Sequence, residues 1–227
     1  MPPSTTEPSG YGPAYYAARA RWLDRRVEAE LLLRRARVGH ATRIVDVGCG
    51  DGVLLSRAAA RGASAVGVEV NAFALRDAKA RAPGAPVVAT AGAASLPFGD
   101  GVFDAVVNQH VLEHLDEPAA HLREWRRVAR SGAYLALVTP NRDYPDPSHF
   151  DDPDHRHIWT SVEITVALGQ AGWSICRVWS IFPFVGRTRA GRAMSARIGA
   201  LMAPWPVPGG KGRSLVAVAR FVHPSAS

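Results

Sequence analysis

A glycine-rich segment with two acids is the part of the sequence whose residue types and spacing most directly indicate chemistry. In the stretch VDVGCGDGVL, glycines occupy the alternate positions Gly48, Gly50 and Gly52, between an apolar β-branched run and a helix-like run. Glycine lets a ligand approach the backbone where a strand turns into a helix, because it has no side chain in the way. The spacing G-x-G-x-G differs from the G-x-G-x-x-G of dinucleotide-binding loops, which disfavours a dehydrogenase.

The charge beside these glycines distinguishes two classes of nucleotide-type cofactor. Asp46 and Asp51 would repel a diphosphate, but they suit a ligand that carries an ammonium and a sulfonium group, as S-adenosylmethionine does. A further acid, Glu69, ends the run SAVGVEV, 17 residues after Gly52. That offset is close to the roughly 20 residues that separate a glycine loop from a ribose-binding acid. We therefore expect the three acids to line one cofactor pocket.

Histidines in two polar segments are the candidates for moving a proton. His110 follows the run VFDAVVNQ, and His155 and His157 lie in the acidic loop after YLALVTP. Histidine is the usual proton acceptor near neutral pH, and an open α/β sheet holds its ligands at the carboxyl ends of its strands. His155 and His157 are two residues apart, so in an extended chain both would face the same way. His114, in LEHL, is expected to orient its loop instead.

The acidic loop also contains residue types that bind divalent cations. Carboxylates and imidazoles in one loop can hold a cation, but an acidic surface loop without a metal explains the same composition more simply. We therefore predict no metal site. The residues concerned are His149, Asp151, Asp152, Asp154, His155 and His157.

Length and composition are those of one globular domain with additions. The chain has 227 residues, of which 47% are hydrophobic and 21% charged, values typical of a folded protein. Neither a signal-like N-terminus nor an apolar run of membrane-spanning length is evident, so we expect a cytoplasmic protein. Cys49, in the glycine segment, and Cys176, in WSICRVW, do not indicate a disulfide framework.

Short β-branched runs alternate with helical patterns along most of the chain. The runs IVDV, AVGV, VVAT, AVV and LALV are apolar on both alternations, as strands covered on both faces must be. Strands that alternate with helices predict a parallel, doubly wound sheet. Residues 1–13 are rich in Pro, Ser, Thr and Gly and are predicted to be disordered. Residues 14–40 are predicted to form an amphipathic helix with Leu23, Val27 and Leu31 on its apolar face.

The glycine turn and the segments after it resemble a known protein family. The chain is similar to class I S-adenosylmethionine-dependent methyltransferases, in the type 11 branch that resembles quinone-biosynthesis and other small-molecule methyltransferases. The matching stretches are VDVGCGDGVL, VGVEVN, AASLPFGDGVFDAVVNQHVLEHLDEP and the PN of VTPN. The resemblance implies that residues 14–227 form one Rossmann-like α/β domain. Its seven-stranded sheet would have the order 3-2-1-4-5-7-6, with strand 7 antiparallel, helices on both faces, an N-terminal helical cap and a helical insert at 181–213 between strands 6 and 7.

The same resemblance implies the roles of individual residues by motif position. The glycine turn would surround the methionine part of S-adenosylmethionine, Glu69 would hold the ribose, and Val70 would flank the adenine. Gly92 departs from the pattern, because the family commonly has an aspartate there that receives the adenine amino group. The implied cofactor-binding set is Asp46, Gly48, Cys49, Gly50, Asp51, Glu69, Val70, Ala93, Ala94, Gln109 and His110, and the candidate catalytic set is His110, His155 and His157.

The sequence leaves the acceptor open but favours some classes over others. Methyl transfer to a hydroxyl of a natural product, sugar or lipid is the favoured reaction, and it would need a base. Transfer to nitrogen or carbon of a quinone-like or lipid-like acceptor, or a non-catalytic cofactor-binding adapter, are the alternatives. A nucleic-acid substrate is disfavoured despite the net charge of +7, because NQHV lacks the Asp/Asn-Pro-Pro-aromatic motif of base-amino methyltransferases. Residues 185–206 could contact a membrane or lipid, and a monomer or homodimer is expected.

Overall fold

The structure, a computed structural model, describes residues 23–89, 92, 94–146, 152–186, 188–202 and 205–222. The segment expected to be disordered and the first part of the predicted N-terminal helix lie outside the described residues, as do Ala93 and His149. Among the helices of the described segments, none combines the length and apolar character that crossing a bilayer requires.

Seven strands form one mixed sheet. They are β1 (Arg43–Val47), β2 (Ser64–Glu69), β3 (Val87–Ala89), β4 (Phe103–Gln109), β5 (Ala129–Pro140), β6 (Ser174–Ile181) and β7 (Ser214–Arg220). Their order across the sheet is β3-β2-β1-β4-β5-β7-β6. The first five strands pair in parallel, and β7 runs antiparallel to both β5 and β6. The predicted Rossmann-like α/β class is confirmed.

Helices cover both faces of this sheet. They are α1 (Leu23–Arg35), α2 (Val53–Ala59), α3 (Ala72–Arg81), α4 (Pro118–Val128), α5 (Ser161–Gln170) and α6 (Arg189–Met202). Ile44 and Val45 are neighbours in β1 but enter opposite cores, the first with Leu32 of α1 and the second with Trp125 of α4 and Leu168 of α5. Burial on both faces explains why the strand sequences are apolar on both alternations.

The buried face of α1 differs from the predicted one. Leu31 is buried as expected, but Leu23 is 46% exposed, and the charged residues Arg25 and Glu28 are buried in its place. The helix packs against α2, α6 and β5, and this position directs Arg25 and Glu28 towards the carboxyl end of the sheet, where both find charged partners. The prediction that placed Leu23 on the buried face was therefore wrong.

Helix α5 begins directly after Thr160, in a capping box formed by Thr160 and Glu163. The Thr160 hydroxyl accepts a hydrogen bond from the Glu163 N–H at 3.2 Å, and the Glu163 carboxylate accepts one from the Thr160 N–H at 2.8 Å. This reciprocal pair satisfies two backbone donors that the first turn of a helix leaves free. The start of α5 is thus fixed by local sequence.

Helix α6 packs on the domain through its small residues. The side of α6 that is buried carries Gly191, Ser195, Ala196 and Gly199. A Cβ atom at Gly199 would overlap the ring of Phe182, which is itself fully buried. Helix α6 can therefore approach the domain closely only on its small-residue side, and its larger apolar residues face solvent.

We expect Gly199→Ala to lower the free energy of unfolding by about 1–3 kcal/mol, because the added methyl group meets a ring that has no room to move. Gly169→Ala is the matched control: Gly169 also lies in a helix, but nothing stands within 4 Å of an added Cβ atom. The control should gain up to about 1 kcal/mol from helix propensity. Urea unfolding of the two variants measures the difference, and equal effects would contradict the packing described for α6.

Candidate functional site

The glycine segment forms a tight turn between β1 and α2. Gly48, Gly50 and Gly52 all have positive φ angles, of 72°, 54° and 78°, a conformation that other residues rarely adopt. A Cβ atom at Gly48 would collide with Val111, and one at Gly52 with the backbone of Ala78. At these two positions the packing of the protein itself requires glycine, whatever ligand approaches the turn.

Glu69 ties the end of β2 to the glycine turn. Its Oε2 accepts a hydrogen bond from the Gly50 N–H at 2.8 Å, and its Oε1 accepts from the N–H groups of Val70 and Asn71 at 2.9 and 3.0 Å. Bonds to a charged acceptor are strong enough to hold the carboxylate in one orientation. A carboxylate has about four acceptor positions, so Glu69 can accept a further bond from a ligand hydroxyl.

Asp46, at the end of β1, is a buried carboxyl group without a partner. The residue is 1% exposed, and neither carboxyl oxygen has a hydrogen-bond partner within the described residues. Burial, and then the negative charge of Glu69, raise its pKa to about 8. An unpartnered buried carboxylate is costly. A cationic group placed beside Asp46 would relieve that cost, so the position suits a ligand ammonium.

Asp51 is already paired with two arginines. Its Oδ1 lies 3.0 Å from Arg25 Nη2 and its Oδ2 lies 3.1 Å from Arg81 Nη2, while Arg81 Nε donates to the Asp51 carbonyl at 2.8 Å. These contacts fasten α1 and α3 to the glycine turn. The charge of Asp51 is thereby neutralised within the protein, and its predicted contact with a cofactor stays a prediction.

A buried imidazole between two carboxylates closes the end of β4. His110 Nε2 lies 3.0 Å from Glu28 Oε2, and His110 Nδ1 lies 3.2 Å from Glu113 Oε1. We call these three residues the His110 clamp. Gln109 also donates to Glu28, at 3.0 Å. The remaining oxygens of the two glutamates accept bonds from the hydroxyls of Ser214 and Thr139.

The His110 clamp holds a proton. Burial alone would lower the pKa of His110, but the charges and hydrogen bonds of Glu28 and Glu113 outweigh it and raise the pKa to about 9. Burial likewise acts to raise the pKa of each glutamate, and His110 reverses that effect and brings both to about 2. A protonated imidazole with both nitrogens engaged cannot take a proton from an acceptor hydroxyl. The clamp therefore positions the backbone of His110, which has a φ of 56°.

His155 is directed inward, against His114. The two ring centroids are 4.9 Å apart. His114 Nδ1 donates to the Asp154 carbonyl at 3.1 Å, and His155 Nε2 lies 3.8 Å from a carboxylate oxygen of Asp152. His155 Nδ1 is buried and has no hydrogen-bond partner in the described part of the chain. Burial lowers the pKa of His155, so a neutral ring offers an open lone pair.

His157 faces away from His155, towards Glu163 and Trp159. Its Nε2 lies 3.6 Å from Glu163 Oε2, and its ring packs on Trp159 at 4.4 Å. The N–H groups of Arg156 and His157 both donate to the Glu113 carbonyl, at 2.7 and 3.1 Å. These bonds turn the chain, so the expectation that His155 and His157 point the same way was wrong.

One group of side chains could hold a metal ion. The carboxylate of Glu113 and a ring nitrogen of each of His114 and His155 lie within 4.8 Å of one another. Ligand atoms around a small tetrahedral ion are about 3.3 Å apart, as bond lengths near 2.0–2.1 Å require, so the group would have to contract. Glu113 Oε1 is also engaged by the protonated His110. The absence of a metal site stays a prediction.

The other predicted cofactor residues are placed in two different ways. Val70 and Ala94 are exposed at the surface beyond β2 and before β4. The side chain of Cys49 is buried in the core, where its Sγ approaches Gly67, so only its backbone is available to a ligand. Gln109 is buried and turned towards α1, donating to the Arg25 carbonyl at 3.0 Å.

Sequence reasoning missed three charged residues that organise this site. Arg25 and Glu28 come from α1, and Glu113 comes from the 3-10 turn after β4. Glu113 lies in the motif LEHL, whose neighbouring histidine attracted attention instead. Arg25 and Glu28 could have been found from their spacing. Residues three positions apart share a helix face, so both would face the same part of the sheet.

Fold and site together define a Rossmann-like α/β protein with an acid-lined glycine turn at the carboxyl edge of its sheet. More particularly, residues 45–137 match the model of a family described as "Methyltransferase domain". A Mycobacterium tuberculosis protein named a "Probable S-adenosylmethionine-dependent methyltransferase" is 32% identical over 135 residues, which cover 59% of this chain and 49% of that protein. A Nitrosomonas europaea protein named "Ubiquinone biosynthesis O-methyltransferase" is 32% identical over 107 residues, 44% of each chain. The resemblance to S-adenosylmethionine-dependent methyltransferases is confirmed.

The fold is shared with solved structures over nearly the whole chain. An S-adenosylmethionine-dependent methyltransferase from Mesorhizobium loti superposes with a TM-score of 0.68 and 21% identity, covering 88% of this chain and all of the other. The chain spans about half the length of the curated relatives it matches. The family model matches residues 45–137, and the shared architecture extends beyond them.

We expect His110 to remain protonated at pH 8, because the two carboxylates of the clamp hold its pKa near 9. Ring nitrogen NMR shifts of histidine-labelled protein, assigned with His110→Gln, check this directly; a neutral ring at pH 7 would contradict it.

The raised pKa of His110 also makes the free energy of unfolding depend on pH. The pKa of His110 is raised above the unfolded value of 6.5. The ionised clamp therefore contributes up to about 3 kcal/mol to the free energy of unfolding below pH 6.5, and this contribution is lost as the pH rises through 9. His110→Gln should remove this part of the pH dependence of urea unfolding.

Proposed function

We propose that this protein is an S-adenosylmethionine-dependent methyltransferase that acts on a small-molecule acceptor. The observation that carries the proposal is the buried, unpartnered carboxyl group of Asp46, beside a glycine turn that Glu69 closes. Asp46 fits the ammonium of the cofactor and Glu69 fits its ribose hydroxyls. The name of the Mycobacterium tuberculosis relative supports the same cofactor.

The chemistry divides between the cofactor and the residues of the carboxyl edge. When bound, S-adenosylmethionine supplies a methyl group on a sulfonium, which is a good leaving group. The glycine turn, Asp46 and Glu69 bind and orient the donor, and the His110 clamp fixes the end of β4 beside it. Holding the acceptor within near-attack range then supplies much of the rate acceleration.

We further propose that the acceptor group is a hydroxyl and that His155 takes its proton. His155 Nδ1 is buried and unpartnered in the described residues, and burial lowers the pKa of the ring, which keeps the ring neutral and its lone pair available to a proton. The name of the Nitrosomonas europaea relative supports transfer to oxygen. Transfer to nitrogen or carbon of a lipid-like or quinone-like acceptor, and a non-catalytic adapter, are the alternatives.

Two acids should be separable by the parts of the cofactor they bind. We expect Asp46→Asn to weaken the binding of S-adenosylhomocysteine about 10- to 100-fold, since it removes a charge-assisted bond to the ammonium. The same change should leave methylthioadenosine, which lacks the amino-acid part, unaffected. Glu69→Ala should weaken both ligands by a similar factor. Calorimetric titration measures all four affinities, with the exposed acid variant Asp77→Ala as control. Equal loss for both ligands in Asp46→Asn would contradict the assignment.

A role for His155 as base predicts a split between turnover and binding. His155→Ala should lower methyl transfer to a hydroxyl acceptor by about 10²- to 10⁴-fold and leave the affinity for S-adenosylhomocysteine unchanged. His157→Ala is the matched control and should keep most activity, because His157 faces Glu163. The acceptor is found first by incubation with methyl-labelled cofactor and extracts of the source organism, followed by mass spectrometry. The absence of any labelled product would favour the alternative that the protein is a non-catalytic, cofactor-binding adapter.

A further inference from the structure

Helix α6 presents large apolar side chains to solvent. Leu201 is 79% exposed and Met194 is 48% exposed, while the small residues of the same helix are buried. A surface helix of a soluble protein normally has the reverse arrangement, with its large apolar residues inside. We call the exposed side the α6 outer face; it consists of Ala190, Ala193, Met194, Arg197, Ala200 and Leu201.

Exposed aromatic residues also lie before and after α6 in the sequence. Trp205, just beyond α6, is 61% exposed, and Phe184, before it, is 40% exposed. The Phe184 ring contacts that of Tyr144 at 5.7 Å, and Tyr144 lies in the loop that follows the carboxyl end of β5. Phe184 therefore lies near the edge of the sheet at which the candidate site is built.

The segment that carries this face has charge of one sign only. Residues 181–213, which include α6, contain six lysines and arginines and no aspartate or glutamate. Arg192, Arg197 and Lys211 make no salt bridge with a carboxylate in the described residues. The basic residues of this segment are Arg187, Arg189, Arg192, Arg197, Lys211 and Arg213, of which Arg213 is paired with Asp24.

We propose that the α6 outer face, with Trp205, docks this protein reversibly on the surface of an anionic lipid bilayer. Aliphatic side chains at the centre of the face would enter the interface between headgroups and acyl chains, as those of interfacial amphipathic helices do. Arginine side chains can extend their charged ends to the lipid phosphates while their methylene groups stay among the apolar residues. Tryptophan suits the same depth, because its ring is apolar with one polar donor.

Lipid fits these observations better than nucleic acid. Binding to a phosphate backbone uses basic residues, and aromatic side chains for stacking, but it gives no role to Leu201 and Met194 at the centre of the face. A bilayer uses both features, since apolar burial and attraction to anionic headgroups add together. Docking requires neither cofactor nor methyl transfer, so it goes beyond the proposed function and is tested apart from it.

The test is co-sedimentation of the full chain with vesicles. One set consists of phosphatidylcholine alone, and the other also contains phosphatidylglycerol. We expect at least about tenfold tighter binding to the anionic vesicles, weakened by high salt. The double variant Met194→Glu/Leu201→Glu should lose this binding by about tenfold or more, and so should Arg197→Glu. The matched control is Val162→Glu/Val166→Glu, which places the same charges on the exposed side of α5 and should bind like the wild type.

Circular dichroism and light scattering complete the experiment. Because all the substituted residues are exposed, each variant should keep the far-ultraviolet spectrum of the wild type. Wild-type protein that binds neither kind of vesicle would overturn the proposal, and so would a folded double variant that binds as the wild type does. A wild-type dimer that the double variant splits, without vesicle binding, would assign the face to a second copy of the chain instead.

Discussion

Buried negative charge at the carboxyl ends of the parallel strands is the constraint around which this structure is organised. Five carboxyl groups lie there, each nearly excluded from solvent, and four of them are compensated within the protein. Two arginines neutralise Asp51, backbone N–H groups hold Glu69, and a single imidazolium serves both Glu28 and Glu113. Only Asp46 lacks a compensating group among the described residues. Since a buried carboxylate is tolerated only when it is paired, the uncompensated position is where we propose that a cationic ligand binds.

These ion pairs show that α1 contributes side chains to the site and does not only cover the sheet. Arg25 reaches the glycine turn, Glu28 reaches the end of β4, and Asp24 forms an ion pair with Arg213 near β7. Three separate parts of the edge are thus joined through one helix. Removing α1 would leave Asp51 with one arginine and His110 with one carboxylate, in surroundings where a lost partner is strongly destabilising. Helix α1 and the glycine turn are therefore expected to fold as one cooperative unit.

Local patterns made much of the fold predictable, while long-range partners made part of the site unpredictable. Doubly apolar strands, the glycine turn and the Thr160 cap are set by residues close in sequence, and each is found in the structure. The pairing of Asp51 with Arg25 and Arg81 joins residues 26 and 30 positions apart, and no spacing rule indicates it. His155 and His157 diverge because backbone bonds to Glu113 turn the loop. The side of α6 that packs is chosen by its fit to Phe182, which periodicity alone does not reveal.

The raised pKa of Asp46 links occupancy of the turn to the uptake and release of protons. In the free protein a large share of this group is protonated at neutral pH, because its pKa is about 8. A bound ammonium favours the ionised form, so association expels a proton into the buffer. The apparent affinity then rises with pH through this range, and the heat of association depends on the ionisation enthalpy of the buffer chosen. Under the proposal that a ligand ammonium lies beside Asp46, ligand affinity would therefore depend on pH independently of any base that acts on the acceptor.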